Sequence, residues 1–453
     1  MKKIIIAAVV LLLTGSCSTY KKYSRPEEIS ANNLFGEDVV VTDTFTTASI
    51  PWHEFFTDSK LRTLIDTALI NNSDLRIASL RVEQAEATLS AARLSYLPGV
   101  SLNPQGGISN YAGDKAVKTY SLGLSVDWEI DISGRITNEK RGAFANLQQQ
   151  KSYQKAVTTQ LIATVANSYY NLLALDQQLS ISQQSLEAWD EIIRTLEVRK
   201  TVGEGHQASV AQAKASRLEV ETTILSLSQQ IKTQENSLCT LLGWTLRKID
   251  RSELKSQIFP DDIAVGVPLQ LLENRPDIRQ AEYALQSAFY STNVALSAFY
   301  PSLTLSGTVG WTNNSGAAIV NPGNWLLNAI ASLVQPLFNR GRNIANLKIA
   351  KARQEEALIT FQQKLLEAGA EVNDALSQWQ NAKQRLNVSA LQIEALEDAV
   401  KSTRLLMMYS ESSSYLEVLT AQQSLLSAQL TETQETFDKI QGIIKLYHAL
   451  GGG

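Results

Sequence analysis

Few side chains in this 453-residue chain could do covalent or metal chemistry, and those few do not cluster. His53, His206 and His448 are scattered, and no spacing suited to a metal, an activated nucleophile or a phosphate-cradling loop appears. Cys239 lies in the apolar stretch Leu238-Cys239-Thr240-Leu241-Leu242, the setting of a buried core thiol. Cys17 is different. It follows Lys2-Lys3, an apolar run over 4–13 and the small residues Thr14-Gly15-Ser16, the layout of an export signal whose cleavage would leave Cys17 first. No enzyme chemistry and no cofactor are expected.

The stretch before Cys17 resembles a bacterial lipoprotein processing site, in which a cysteine behind two small residues is lipidated. Thr14 stands where that pattern prefers Leu, and Leu13 lies one place too early. An ordinary signal peptide with an incidental cysteine is the alternative. On the lipoprotein reading, 1–16 is the signal peptide and 17–51 a lipid-anchored extended segment. One acyl group anchors marginally, two or more stably.

Apolar residues make up 44% of the chain and the mean hydropathy is −0.11, which excludes a multi-span helical membrane protein and a disordered one. A net charge of −4 gives no reason to expect nucleic acid. After Cys17 no apolar run reaches the ~20 residues of a spanning helix, so the mature chain crosses a membrane as strands or not at all.

The chain is duplicated. Residues 74–102 overlay 277–305 without a gap, so that Asp74, Arg76, Ala78, Ala85, Ala92, Pro98 and Leu102 meet Asp277, Arg279, Ala281, Ala288, Ala295, Pro301 and Leu305, and Gly107 meets Gly310. The expected repeats are 52–262, with helices over 74–97, 134–201 and 206–243 and strands over 99–111 and 119–132, and 263–453, with helices over 277–300, 341–409 and 415–450 and strands over 302–311 and 325–336.

From Tyr120 to Ile132 apolar and small or polar residues alternate strictly, and this run exceeds the ~9 to 11 residues of a tilted membrane strand. Residues 302–311 alternate likewise; 100–108 is weaker, being interrupted by Pro104, and 325–334 is blurred. Membrane barrels start at about 8 strands, so four per chain demand oligomerisation, and three chains would give twelve.

The long helices carry seams at three-four spacing: Leu172, Leu175, Leu179, Ser182, Leu186, Trp189, Ile193 and Leu196, answered by a return helix, and then Trp379 to Met407, answered by Leu416, Leu419, Gln423, Leu426 and Leu430 onward. The short turns make both hairpins antiparallel. At 1.5 Å per residue the long helices reach roughly 100 Å, about three times a hydrocarbon core, so they cross an aqueous gap.

Arg275-Pro276-Asp277-Ile278-Arg279-Gln280-Ala281-Glu282, Tyr300-Pro301-Ser302-Leu303, the stretches 128–135 and 335–342, and the terminal Ala449-Leu450-Gly451-Gly452-Gly453 resemble the TolC-like outer-membrane efflux factor family, in particular its lipoprotein branch serving resistance-nodulation-division (RND) drug pumps. The resemblance implies a mainly α fold with four membrane strands per chain, and a homotrimer whose twelve-stranded barrel sits in outer-membrane lipid and continues into a periplasmic tunnel of coiled-coil hairpins. It also implies a periplasmic adapter and an inner-membrane RND pump as partners. The function implied is export of small toxic molecules such as drugs. The alternatives are a duct for type I protein secretion and a non-pore periplasmic adapter.

The resemblance also locates the machinery. In the turn of the second hairpin, Leu416 matches the family's apolar constriction, while the family's Arg, Tyr, Gly and Asp positions hold Met407, Met408, Glu411 and Thr420. The expectation is a gate closed by Leu416, with weaker ionic locking and with Glu411 and Glu417 as an acidic ring or as mere solvation of the turn. In the first hairpin, Arg199, Val202 and Gly203 match the turn that meets the adapter, and Glu204 replaces its usual apolar neighbour.

Overall fold

The computed structural model describes residues 22–26, 50–110, 115–259, 274–312, 325–409 and 415–453. Element order is α1 (Trp52–Phe55), α2 (Ser59–Asn71), α3 (Ser73–Leu94), β1 (Gly99–Ser109), β2 (Val117–Ile130), α4 (Arg135–Thr201), α5 (Gln207–Leu241), a 3-10 turn (Leu254–Ser256), α6 (Pro276–Ser297), β3 (Ser302–Thr312), β4 (Trp325–Val334), α7 (Arg342–Tyr409) and α8 (Tyr415–Ala449). The duplication survives in the lengths. α3 and α6 have 22 residues each, β1 and β3 have 11, α4 and α7 have 67 and 68, and α5 and α8 have 35.

Two compact units emerge, each drawing on both repeats: 1–30, 80–152 and 279–363 form one, and 31–79, 153–278 and 364–453 the other. In the first, the strands make one antiparallel sheet in the order β1-β2-β3-β4. The central pair comes from different repeats, with Leu124 opposite Val309 and Trp128 opposite Leu305. β1 runs unbroken through Pro104, opposite Leu122; it pairs only with β2 in this sheet, and proline is tolerated in such edge strands. The turn from β2 into α4 is fixed by Asp131, whose carboxylate accepts from the Ile136 N–H (3.0 Å), the Thr137 N–H (2.8 Å) and the Thr137 hydroxyl (2.6 Å), satisfying donors that a helix start leaves open. No described helix is long and apolar enough to cross a membrane.

In the second unit one core joins α2, the middle of α4, and the ends of α5 and α8 around Tyr169, Leu172, Leu238, Cys239, Ile443 and Ile444. Cys239 is fully buried there, as its apolar setting implied. α2 is an element the sequence reading missed: Asp58 caps it, accepting from Lys60 N–H at 2.8 Å, and Leu61, Leu64, Ile65 and Ala68 form its buried stripe.

Each return helix ends at a corner built the same way. The chain leaves α5 through Gly243 (φ +65°), with Gly243 N–H donating to Thr240 O and Trp244 N–H to Cys239 O. α8 ends at Gly451 (φ +94°) with Gly451 N–H on His448 O and Gly452 N–H on Tyr447 O. Both are Schellman endings, whose left-handed residue favours glycine. Beside Gly243, the Asn72 amide donates to Leu241 O at 3.0 Å while its oxygen accepts from Asp74 and Leu75 N–H. The corresponding group beside Gly451 is Arg275, which is buried. It donates to Ala449 O at 3.1 Å, grips Asp277 through two bonds of 3.0 and 2.7 Å, and reaches Glu371 at 2.7 Å.

Candidate functional site

The tip residues belong to the second unit and lie where α4 turns into α5 and where α7 ends and α8 begins. A three-four seam brings the two hairpins together in one core: Trp189, Ile192, Ile193, Leu196, Val210, Ala213 and Val220 from the first pack with Met407, Val418, Leu419 and Leu426 from the second. Met407, placed by sequence both at the end of the second seam and among the gate residues, is 3% exposed and part of this core, as the seam required.

The expected seam on α8 shifts near the tip. Leu416 is 50% exposed and Gln423 is exposed, while Val418, Gln422 and Leu425 are buried beside the expected Leu419 and Leu426. A straight helix drifts against a 3.5-residue repeat, and here α8 must also cover Met407 and the first hairpin, so its buried stripe rotates. Leu416 is thereby released from the coiled coil. Glu417 and Thr420 are exposed on the same first turns of α8, where a carboxylate such as Glu417 also favours the helix N-terminus. Glu411 lies outside the described residues, as do Cys17 and the side chain of Met408.

On the first hairpin, α4 stops in another Schellman ending: Gly203 takes φ +86°, Gly203 N–H donates to Lys200 O and Glu204 N–H to Arg199 O. Val202 and Glu204 are exposed at this turn. Arg199 is half-buried and its guanidinium donates to the backbone carbonyl of Met407, with Glu204 at 3.7 Å. It therefore joins the first hairpin to the end of α7.

The structure adds Arg404, which sequence reasoning passed over. Its guanidinium donates to Gln422 Oε1 at 3.1 Å on α8 and lies 3.7 Å from Glu191 on α4, so one side chain of α7 reaches two other helices. Its position three residues before Met407, the end of the seam, was the available signal. Arg217, on the same hairpin as Glu191, bonds Asp190 (2.7 Å) and Glu221 (2.8 Å), and these bonds raise its already high pKa. Among the described residues no group of His, Cys, Asp and Glu could hold a metal ion.

The model of the outer membrane efflux protein family matches residues 64–244 and 267–452. The chain is 30% identical to the cation efflux system protein CusC of Escherichia coli strain K12, over all of this chain and 99% of that one. It is 31% identical to the pyoverdine export outer membrane protein OpmQ of Pseudomonas aeruginosa, over 89% of this chain and 87% of that one. Its structure superimposes on the open state of the MtrE outer membrane channel of Neisseria gonorrhoeae with a TM-score of 0.87 and 26% identity, covering 96% of this chain and 98% of that one. The chain belongs to the outer membrane efflux protein family: it is the outer-membrane channel component of a tripartite efflux pump, and it does its work as a duct without catalysis.

Proposed function

We propose that three copies close a twelve-stranded barrel in the outer membrane above a tunnel of helical hairpins, and that a periplasmic adapter and an inner-membrane RND pump deliver small toxic molecules such as drugs into it. The observation that carries this reading is the sheet: in its described order β1 and β4 are the outer strands, and four strands are too few to close in lipid. If β4 of one copy pairs with β1 of the next, the antiparallel alternation continues around the ring. Residues 1–16 are removed, and Cys17 is acylated and anchors the chain to outer-membrane lipid. The range of the relatives' names, from cation efflux to pyoverdine export, supports small solutes as cargo.

The experiment compares a deletion strain with its complemented parent for accumulation of dyes, antibiotics and metal salts, while profiling proteins released to the medium. Higher accumulation with unchanged secretion is expected. Unchanged accumulation with one missing secreted protein would reassign the duct to protein secretion.

At the tip, Leu416 is the apolar constriction, freed from the seam to face its copies around the threefold axis, and the exposed Glu417 follows it on the first turn of α8. Leu416→Ala is expected to raise single-channel conductance in planar bilayers; an unchanged conductance would remove Leu416 from the gate. Val202, Gly203 and Glu204 form the turn that meets the adapter. Arg199 serves that surface from behind, through its bond to Met407 O.

A further inference from the structure

The N-terminal segment carries a contact that the channel reading does not use. Arg25 grips Glu282 on α6 through two bonds of 2.7 Å, a bidentate, charge-assisted pair. Two residues earlier, the Tyr23 ring stands edge-on to Phe289 with centroids 5.8 Å apart. Burial, and then the charge of Glu282, push the Tyr23 hydroxyl up to about 12. All four residues lie in the unit that contains the strands.

The two contacts define a direction. From Glu282 to Phe289 the helix advances toward β3, and from Arg25 to Tyr23 the segment runs the same way, so continuing back along the chain leads toward the strands. Phe289 lies about two turns, or ~12 Å, before the end of α6 at Ser297, and a four-residue turn then opens β3. Cys17 lies six residue steps before Tyr23, a reach of at most about 20 Å. A chain of that length is long enough to span the remaining two turns of α6 and the turn into β3. Lys21 and Lys22, in this stretch, suit anionic headgroups.

The duplication supplies a control. The positions of α3 that correspond to Glu282 and Phe289 are Ser79 and Glu86, which serve other partners: Ser79 accepts from Gln154 at 2.9 Å, and Glu86 pairs with Lys151 at 3.0 Å. Only α6 of these two helices carries the acid and the ring that receive the segment.

We propose that Tyr23 and Arg25 clasp the N-terminal segment to Glu282 and Phe289, shortening the tether to the lipid on Cys17 so that its limited reach sets how deep the strands sit in the inner leaflet of the outer membrane. The inference rests on acylation of Cys17. Tyr23 and Arg25 are positioning residues, since neither touches the transported solute.

The test uses full-length protein purified from outer membranes, with mass spectrometry of the N-terminal peptide and a spin label at Gly99→Cys whose exposure to water-soluble and lipid-soluble relaxants reads depth. Arg25→Glu and Glu282→Arg are each expected to replace a single depth by a broad spread while acylation and helix content stay intact. The double exchange R25E/E282R is expected to restore the single depth. A six-residue Gly-Ser insertion between Ser18 and Thr19 leaves the clasp intact but adds slack, and is expected to broaden the depth as the single exchanges do. Unchanged depth in the single variants, failure of the double exchange to restore it, or an insertion without effect would each overturn the proposal. An unacylated Cys17 would overturn it too, but by removing the anchor reading, and mass spectrometry separates that case from a failure of the clasp.

Discussion

The two corners where the return helices end have the same backbone and different chemistry. At Gly243 a neutral amide, Asn72, closes the helix end on Leu241 O; at Gly451 a buried guanidinium does so on Ala449 O and is neutralised by Asp277 and Glu371. Duplication has kept the geometry because a helix leaving through a left-handed glycine exposes the same carbonyls in either copy. It has let the donor change, because a single amide and a compensated guanidinium both satisfy them. Arg275 and Asp277, in one of the stretches that carry the family resemblance, thus form a structural tie.

The largest effect should come from removing the charged tie. Arg275→Ala leaves Asp277 without its partner in a confined site and should destabilise the protein by about 3 kcal/mol, at the low end for buried pairs because Glu371 is half exposed. Asn72→Ala should cost only about 1 kcal/mol, as a lost cap. Chemical denaturation of the detergent-solubilised protein measures both, and equal losses would mean that the charges add nothing to the geometry.

Next in size are the glycines. A Cβ at Gly451 would stand 2.8 Å from the backbone carbon of Asn274, and one at Gly243 would stand 3.1 Å from Asn71 O, both on left-handed backbone. Gly451→Ala should therefore cost more than Gly243→Ala, within the roughly 1–3 kcal/mol of such strain. The reverse order of melting temperatures would show that the second corner yields more easily than the first.

The smallest effect is on pH. Burial, and then the charge of Arg275, push the His448 imidazole below its ordinary value, against the opposing Glu371 and Asp277. Burial alone would raise Asp277, but its hydrogen bonds to Arg275 and the Arg275 charge outweigh that and hold it below the usual carboxylate range. Both groups bind protons more readily when unfolded. Stability from His448 is therefore complete above about pH 6.5 and falls as pH drops toward its lower native value, and that from Asp277 begins to fall below about pH 4. His448→Gln should flatten the change in melting temperature between pH 7 and pH 5. The Asn72 bonds join only amide and backbone groups, so the protection factors of amides near Gly243, taken relative to the intrinsic exchange at each pH, should stay constant over that range.

Most of this architecture was legible in the sequence because long elements repeat their period many times. The short helices α3 and α6, the long pairs and all four strands appear within a few residues of their expected bounds. What was hidden depended on neighbours. α2 has only 13 residues of pattern, and its place is fixed by contacts such as that of Tyr169, whose hydroxyl donates to Asp58 at 2.7 Å. Leu416 fits a seam by spacing alone, and only the added contact of α8 with Met407 and the first hairpin turns it out. At the tip the sequence makes Met407 both the last residue of a seam and a gate position, and it is core as the seam required, while Arg199 reaches backward, because a side chain's direction depends on what crosses above it.

The central pairing of the sheet has a consequence for how the chain acquires its structure. β1 with β2 and β3 with β4 are near neighbours along the polypeptide, but Ser121 meets Thr312 only after an entire helical hairpin has been made between them. Contacts between residues so far apart close slowly. The two local hairpins are therefore expected to form first, and pulsed hydrogen exchange during refolding should protect the amides bonded between β1 and β2 before those bonded between β2 and β3. The membrane-facing sheet would then be finished last, after the helices that will stand in the periplasm have already taken shape.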